Sequence, residues 1–295
     1  MAVEADKKRK WKETQLPYDS EQFSYRNYTK AIIRRGHGLV VEYCEQVARQ
    51  NGGRLTVLDS GCGWTDFYGK LEHIIGSYVG IEPSLEELQR AESRENQFLI
   101  RGVGEKMLVR DSCIDIVLHI ADLDHCFDAQ KVVEESFRVL KPGGASIILL
   151  ENRGRWANDV RRMMRMEISH GDEHLYYFDV DDVLSLVKPF GEVNYARSYG
   201  FLAGFDWLSN ALPKSFVSGL EGMSNKLFAP MFPTKGQHFI IGVVRRGGGP
   251  SFPLGFLCPN CGNEFEWKTG ECLKCNNEIH WIHKTILDAI DKEAK

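Results

Sequence analysis

No apolar run in this sequence approaches the roughly eighteen residues that a membrane-spanning helix needs. The charged start, Met1 to Lys12, is not followed by the apolar stretch of a secretion signal. A soluble, cytoplasmic protein is therefore expected. A dominant charge is also missing: the formal net charge is −4 over 295 residues, so any case for nucleic acid rests on local basic patches. Four of the eight cysteines, Cys44, Cys62, Cys113 and Cys126, lack any pairing pattern, which is the usage of a reducing compartment. At 43% hydrophobic content, the chain can bury one sizeable core and carry one small extra module.

The stretch Thr56-Val-Leu-Asp-Ser-Gly-Cys-Gly-Trp-Thr-Asp-Phe67 reads as a buried strand turning into a helix, with Gly61 and Gly63 leaving the turn bare of Cβ atoms. Such a turn opens the nucleotide crevice of a doubly wound sheet. Twenty-three residues after Asp59, Tyr78-Val-Gly-Ile-Glu82 ends a second strand on an acid, and a carboxylate there can accept hydrogen bonds from both ribose hydroxyls. The dinucleotide fingerprint G-x-G-x-x-G is incomplete, since this turn reads G-C-G-W-T-D. Asp59 just before it would repel a pyrophosphate but not a cation. Both features favour S-adenosylmethionine over NAD.

On these residues the chain resembles the class I S-adenosylmethionine-dependent methyltransferases, whose first motif is roughly (V/L)-L-D-x-G-C-G-x-G. Thr65 stands where that family has its last glycine. Gly102 to Asp115 looks like the family segment G-D-A-E-x-L-P-F-x-D-x-S-F-D, with Val103 replacing the acid that receives the adenine amino group. The resemblance puts Asp59, Gly61, Gly63, Glu82, Gly104 and Glu105 around the cofactor, Glu105 more as a loop organiser than as a ligand contact. His119 and Ile120, at the end of the strand from Asp115, are expected to line the sulfonium position. The stretch Arg138-Val-Leu-Lys-Pro-Gly-Gly144 matches the family's turn before its fifth strand, and the type-11, ubiquinone- and menaquinone-methyltransferase-like subgroup is the part it resembles. The implied fold is α/β: a doubly wound, seven-stranded, mostly parallel sheet with a helical cap insert.

Residues 1–22 read as a flexible basic tail around Lys7-Lys-Arg-Lys-Trp-Lys12, and residues 23–246 as the catalytic domain. Tyr25 and Tyr28 precede a helix; the resemblance makes them a lid on the cofactor and substrate, while packing against the sheet is the plainer reading. Ala121 to Asp128 resembles the family's x-x-L-E/H-H-x-x-D, with His125 either an acid–base group or a structural histidine satisfied at a helix start. Ser169 to Phe178 resembles the family's H-x-Y-x-F element, which makes His174 a candidate catalytic base and Tyr176 a substrate contact. Both are alternatively surface residues that fix a turn. Residues 199–235 hold more apolar side chains than a loop needs, and read as a cap over an apolar acceptor pocket or as a self-association surface.

Residues 247–256 open with Gly-Gly-Gly-Pro, a linker composition. In residues 257–295, Cys258-Pro-Asn-Cys261 and Cys272-Leu-Lys-Cys275 are separated by ten residues. Two such knuckles hold one structural zinc ion on four thiolates with no open position for chemistry. The tail resembles the strand and terminal helix of the small zinc-ribbon proteins that activate tRNA methyltransferases. The expected activity is methyl transfer to a small, apolar or lipid-like molecule. No N-P-P-Y-like tetrapeptide follows the fourth strand, which weighs against a nucleobase or amide acceptor. RNA or protein methylation with the ribbon as docking module, and a non-catalytic binding module, are the alternatives.

Overall fold

Strand β1 (Leu55–Ser60) carries side chains buried on both of its faces, as the middle strand of a sheet covered on both sides must. In the computed structural model, which describes residues 2–18, 27–166, 174–201, 214–272, 274–275, 279–282 and 285–290, it is flanked in parallel by β2 (Ile75–Glu82) and by β4 (Ile114–Ile120). Outward from β2 lies β3 (Gln97–Arg101), also parallel. Outward from β4 lie the parallel β5 (Leu140–Glu151), then the antiparallel β7 (His238–Arg245) and β6 (Gly191–Tyr199). Alternation along the strands feeds two cores. Leu55, Val57, Ile116 and Leu118 face one, and Leu58, Val117, Ile148 and Leu150 face the other.

Among the described residues the α-helices are α1 (Ala2–Gln15), α2 (Asn27–Asn51), α3 (Asp66–Leu71), α4 (Leu85–Arg90), α5 (Ala129–Val139), α6 (Trp156–Met163), α7 (Val180–Val187) and α8 (Lys214–Phe228). The apolar stripe of α2 is buried: Leu39, Val40, Tyr43, Cys44 and Val47 pack on the first core. On the other face α5 buries Val132, Val133 and Phe137. Asp128 caps α5 by accepting the Lys131 N–H at 3.1 Å. Its stop at Val139 falls where the basic, proline and glycine signals put it, with Gly143 at φ +79°.

The cysteine-bearing C-terminal segment adds two strands to the sheet, β10 (Trp281–Ile282) and β11 (Ile286–Asp288). Among the described residues the sheet therefore has nine strands rather than seven, in the order β10-β11-β3-β2-β1-β4-β5-β7-β6. β11 pairs in parallel with β3, Leu287 opposite Ile100. The Ala289 N–H donates to Arg101 O at 2.8 Å. The expected terminal helix is therefore absent among the described residues: the edge of β3 offers unpaired backbone groups, and pairing there buries Ile286 and Leu287.

The expected linker is likewise bound down past its glycines. Phe252 N–H donates to Ser112 O at 2.9 Å and Leu257 N–H to Leu108 O at 3.0 Å. From there β8 (Phe256–Leu257) pairs with β9 (Glu264–Phe265). The Phe256 ring packs at a tilt, its centroid 5.0 Å from that of Phe98 of β3 and 4.4 Å from that of Trp267. The segment thus shares the core of the main sheet.

Two further expectations change. The basic N-terminus is helical from Ala2 to Gln15: Lys7, Trp11 and Gln15 form one stripe, four residues apart, of which Trp11 and Gln15 line the crevice described below while Lys7 covers the Tyr176 ring. Of the cap insert, 202–213 lies outside the described residues, and α8 packs against α2 with Val217 buried. No helix among the described residues is long and apolar enough to cross a membrane.

Candidate functional site

The turn after β1 is tied to the end of β2 by its backbone. The N–H groups of Gly61 and Cys62 both donate to Ile81 O, at 2.9 and 3.1 Å. Gly61 has φ +67° and Gly63 φ +50°, the left-handed region that glycine enters without steric cost. A Cβ on Gly61 would also stand 2.7 Å from the Asp122 carboxylate. Thr65 holds φ +65°, so the backbone follows the course a glycine would give it despite the β-branched side chain.

Glu82 joins the turn to the next helix. Its Oε2 accepts the Gly63 N–H at 3.1 Å and its Oε1 accepts the Ser84 N–H at 2.8 Å. Ser84 caps α4 by accepting the Glu87 N–H at 3.4 Å. The Ser84 N–H goes to Glu82 rather than back to Glu87, so the cap is one-sided and not a capping box. Burial pushes the Glu82 carboxyl up to about 8, against the pull of the two amides. Asp59 accepts the Tyr78 hydroxyl at 2.7 Å, and burial, reinforced by Asp122, pushes it up to about 7.

These groups open onto a crevice of about 500 Å³. Eight carboxylates line it, among them Asp59, Glu82, Glu105, Asp122, Asp124 and Glu151, and no lysine or arginine does so among the described residues. Such a wall concentrates negative potential and favours a cation. Gly104, Val103 and Ile120 belong to the wall as well. A Cβ on Gly104 would meet Ser60 Oγ at 2.9 Å and Val132 at 3.0 Å, so that glycine also permits close packing beneath the crevice. Glu105 accepts the Asp128 N–H at 3.0 Å and thereby fixes the loop before α5.

His119 is turned away from this space. It is fully buried, its Nδ1 2.8 Å from Asp122 Oδ2 and its Nε2 2.8 Å from Ser136 Oγ of α5. Its face of β4 is that of Val117, under α5, which corrects the expectation that it lines the crevice. It still acts through Asp122: burial raises that carboxyl, but the His119 bond outweighs it and holds the group below its ordinary value.

At the far end of the crevice the two candidate catalytic histidines meet. The rings of His125 and His174 pack edge to face with centroids 4.6 Å apart. His174 Nε2 lies 3.6 Å from Asp124 Oδ2, and Gln15 of α1 reaches His125 Nδ1 at 3.3 Å. Tyr176 is not in the crevice wall. It faces a small side recess with Asn152, Arg155 and Phe178, its hydroxyl donating to Phe127 O at 3.0 Å while the Lys7 ammonium covers its ring at 3.9 Å. Tyr25 lies outside the described residues, and of Tyr28 only the backbone, in α2, is described.

Sequence reasoning passed over Trp11, Gln15, Glu151 and His238, all of which line the crevice. Burial lowers His238 to about 4, so its ring is neutral at pH 7. Only the four-residue spacing of Trp11 and Gln15 hinted at a helix face. Glu151 and His238 come together because β5 and β7 pair them directly, a relation between distant segments.

In the C-terminal segment, Cys258 and Cys275 place their sulfurs 3.8 Å apart and Cys261 and Cys272 theirs 3.5 Å apart. All four lie within 4.8 Å of one another. Four thiolates around zinc at about 2.3 Å would be spaced by roughly 3.8 Å, so the cluster is compatible with that ion.

Residues 58–148 match the model of a methyltransferase domain. A probable S-adenosylmethionine-dependent methyltransferase of Mycolicibacterium smegmatis is 28% identical over 112 residues, 37% of this chain and 42% of that protein. An uncharacterized methyltransferase of Mycolicibacterium gilvum is 33% identical over 98 residues, 32% of this chain and 38% of that one. The chain thus spans less than half the length of these relatives. The YcgJ protein of Bacillus subtilis superposes with a TM-score of 0.49 at 15% identity, covering 73% of this chain and all of that one.

Proposed function

We propose that this chain, whose residues 58–148 match a methyltransferase domain, is an S-adenosylmethionine-dependent methyltransferase acting on a small, apolar or lipid-like acceptor. The observation that supports this best is the crevice itself: eight carboxylates and no lysine or arginine among its described residues, at the bare turn after β1. That wall suits a sulfonium and disfavours a pyrophosphate or an RNA backbone.

When bound, S-adenosylmethionine supplies a methyl group activated by the positive sulfur. Glu82 keeps its carboxylate aimed by the two amides and has lone pairs left for the ribose diol. Gly61 and Gly63 let the backbone approach the methionine part, Asp59 and Asp122 offset its positive charge, and Val103 with Gly104 walls the adenine. His174, steadied by Asp124, is placed to take a proton if the acceptor is a hydroxyl, with His125 beside it. Cys258, Cys261, Cys272 and Cys275 would hold one structural zinc, and no step of the chemistry passes through it. That module fits the zinc-ribbon type, and it packs on the outer edge of β3, next to the Glu82 strand.

The acceptor class rests on the exposed Met223, Leu227, Phe228, Met231 and Phe232 of α8 and the turn after it. An apolar surface of this kind serves an apolar substrate, and self-association is its other use. Calorimetry tests the core of this reading. Binding of S-adenosylmethionine is expected, and absence of heat at millimolar ligand leaves a non-catalytic module.

A further inference from the structure

We propose that Asp124, His125 and His174 form a binding site for one divalent transition-metal ion at the acceptor end of the crevice. One ligand atom from each residue lies within 4.8 Å of the others, and His174 Nε2 and Asp124 Oδ2 are already 3.6 Å apart. Ligand atoms about 2.0–2.2 Å from one ion stand up to roughly 4.2 Å apart. Closing the cluster on a metal therefore needs only rotamer-scale shifts. Two imidazoles and one carboxylate are a donor set that suits zinc, iron or nickel and leaves coordination positions open.

The backbone holds this set together across fifty residues of sequence. Both Leu175 and Tyr176 donate their N–H groups to Asp124 O, at 2.8 and 3.1 Å, which clamps the loop after β4 to the segment before α7. The His125 N–H donates to Asp122 O at 2.9 Å. The Gln15 amide lies 3.3 Å from Nδ1 of His125; with its oxygen turned to that side it accepts the Nδ1–H and leaves Nε2 free as a ligand.

A separate observation asks for a cation here. Asp124 is 5% exposed, and its Oδ1 is buried with no hydrogen-bond partner among the described residues. An unpaired buried carboxylate oxygen is costly, and a metal ion would satisfy it. An Asp124–His174 pair working only as a proton acceptor accounts for Oδ2 but leaves Oδ1 unmatched. Glu151 stands in the same wall, and no lysine or arginine does among the described lining residues.

The role of the ion rests on the methyltransferase reading: its open positions would hold an acceptor through an oxygen atom, a hydroxyl or phenol, beside the sulfonium and lower that oxygen's pKa, which replaces proton removal by His174, since a metal-bound ring nitrogen is no longer a base. The site itself does not depend on that reading. The test is metal content of the full chain after dialysis against Co2+ and then buffer. Two ions per chain are expected, one of them lost in both Asp124→Asn and His174→Ala. The thiolate-to-cobalt absorption of the cysteine cluster should stay unchanged in both variants, which also reports that they are folded. One ion in the parent chain, or two that persist in both variants, overturns the site. Calorimetry with S-adenosylmethionine on the same samples keeps the two readings apart. Methyl-donor binding with a single metal removes only this site, and two metals without methyl-donor binding remove only the enzyme.

Discussion

The Gly63 N–H donates to Glu82 Oε2 at 3.1 Å, so the bare turn after β1 and the acid ending β2 form one unit. Glu82→Gln breaks it in a defined way. Both carboxylate oxygens accept a backbone N–H, and an amide can accept only one of them while presenting its NH2 to the other. Above about pH 8, where Glu82 is ionised, affinity for S-adenosylmethionine should fall by about 10- to 100-fold, the worth of a charge-assisted hydrogen bond. Calorimetry reads that loss, and urea unfolding shows that the variant is folded. Unchanged methyl-donor affinity in the folded variant would remove Glu82 from the site.

A pH effect follows from the same group. Burial pushes Glu82 up to about 8 and Asp59 up to about 7, so folding favours their protonated forms. The stabilisation this gives is whole below the ordinary carboxylate range and fades as pH rises through about 7 and then about 8. Below about pH 6.5 the buried histidines His37 and His238, both lowered to about 4, impose the opposite slope, so the ligand-free Tm should decline from pH 6.5 to 8.5. Methyl-donor affinity should move the opposite way, since the ionised carboxylates are the better partners for a diol and a cation. A ligand-free Tm that does not fall between pH 6.5 and 8.5 would show both acids to be ionised already at pH 6.5.

The first-motif turn, the Glu82 strand and the Lys141 to Gly144 stop were legible because their signals are local: glycines at fixed spacing, an acid at a strand end, a helix breaker. The side of the sheet taken by His119 was legible too, since it shares the period-two face of Val117, but the family motif outweighed that alternation. β11 was not legible. Ile286-Leu-Asp288 is too short to separate strand from helix, and what decides it is the open edge of β3, some 185 residues back in the chain. The same holds for α1, a strongly charged helix whose partners, His125, His174 and Tyr176, lie far along the sequence.

The pairing of β11 with β3 makes the C-terminal segment part of the main fold. Leu287 is fully buried in the larger core, and Leu287→Ala should cost about 2–5 kcal/mol. Chemical unfolding should remain a single transition, reported alike by tryptophans of the segment and by far-ultraviolet circular dichroism. An early separate transition confined to the segment would show that the edge pairing contributes little.

Thr65 tests how far the turn tolerates a side chain. A β-branched residue at φ +65° is strained by roughly 1–2 kcal/mol, and glycine would relieve it. Against this, Thr65 Oγ1 accepts a hydrogen bond from Gln97 Nε2 at 3.2 Å, worth about 0.5–1.5 kcal/mol. Because that bond is only part-buried, water can replace it, and the strain should win. Thr65→Gly is therefore expected to gain up to about 1 kcal/mol in urea unfolding, with methyl-donor binding kept. A loss of stability larger than about 1 kcal/mol would mean that the threonine hydroxyl, through Gln97 at the start of β3, holds the turn in place more firmly than its backbone resists it.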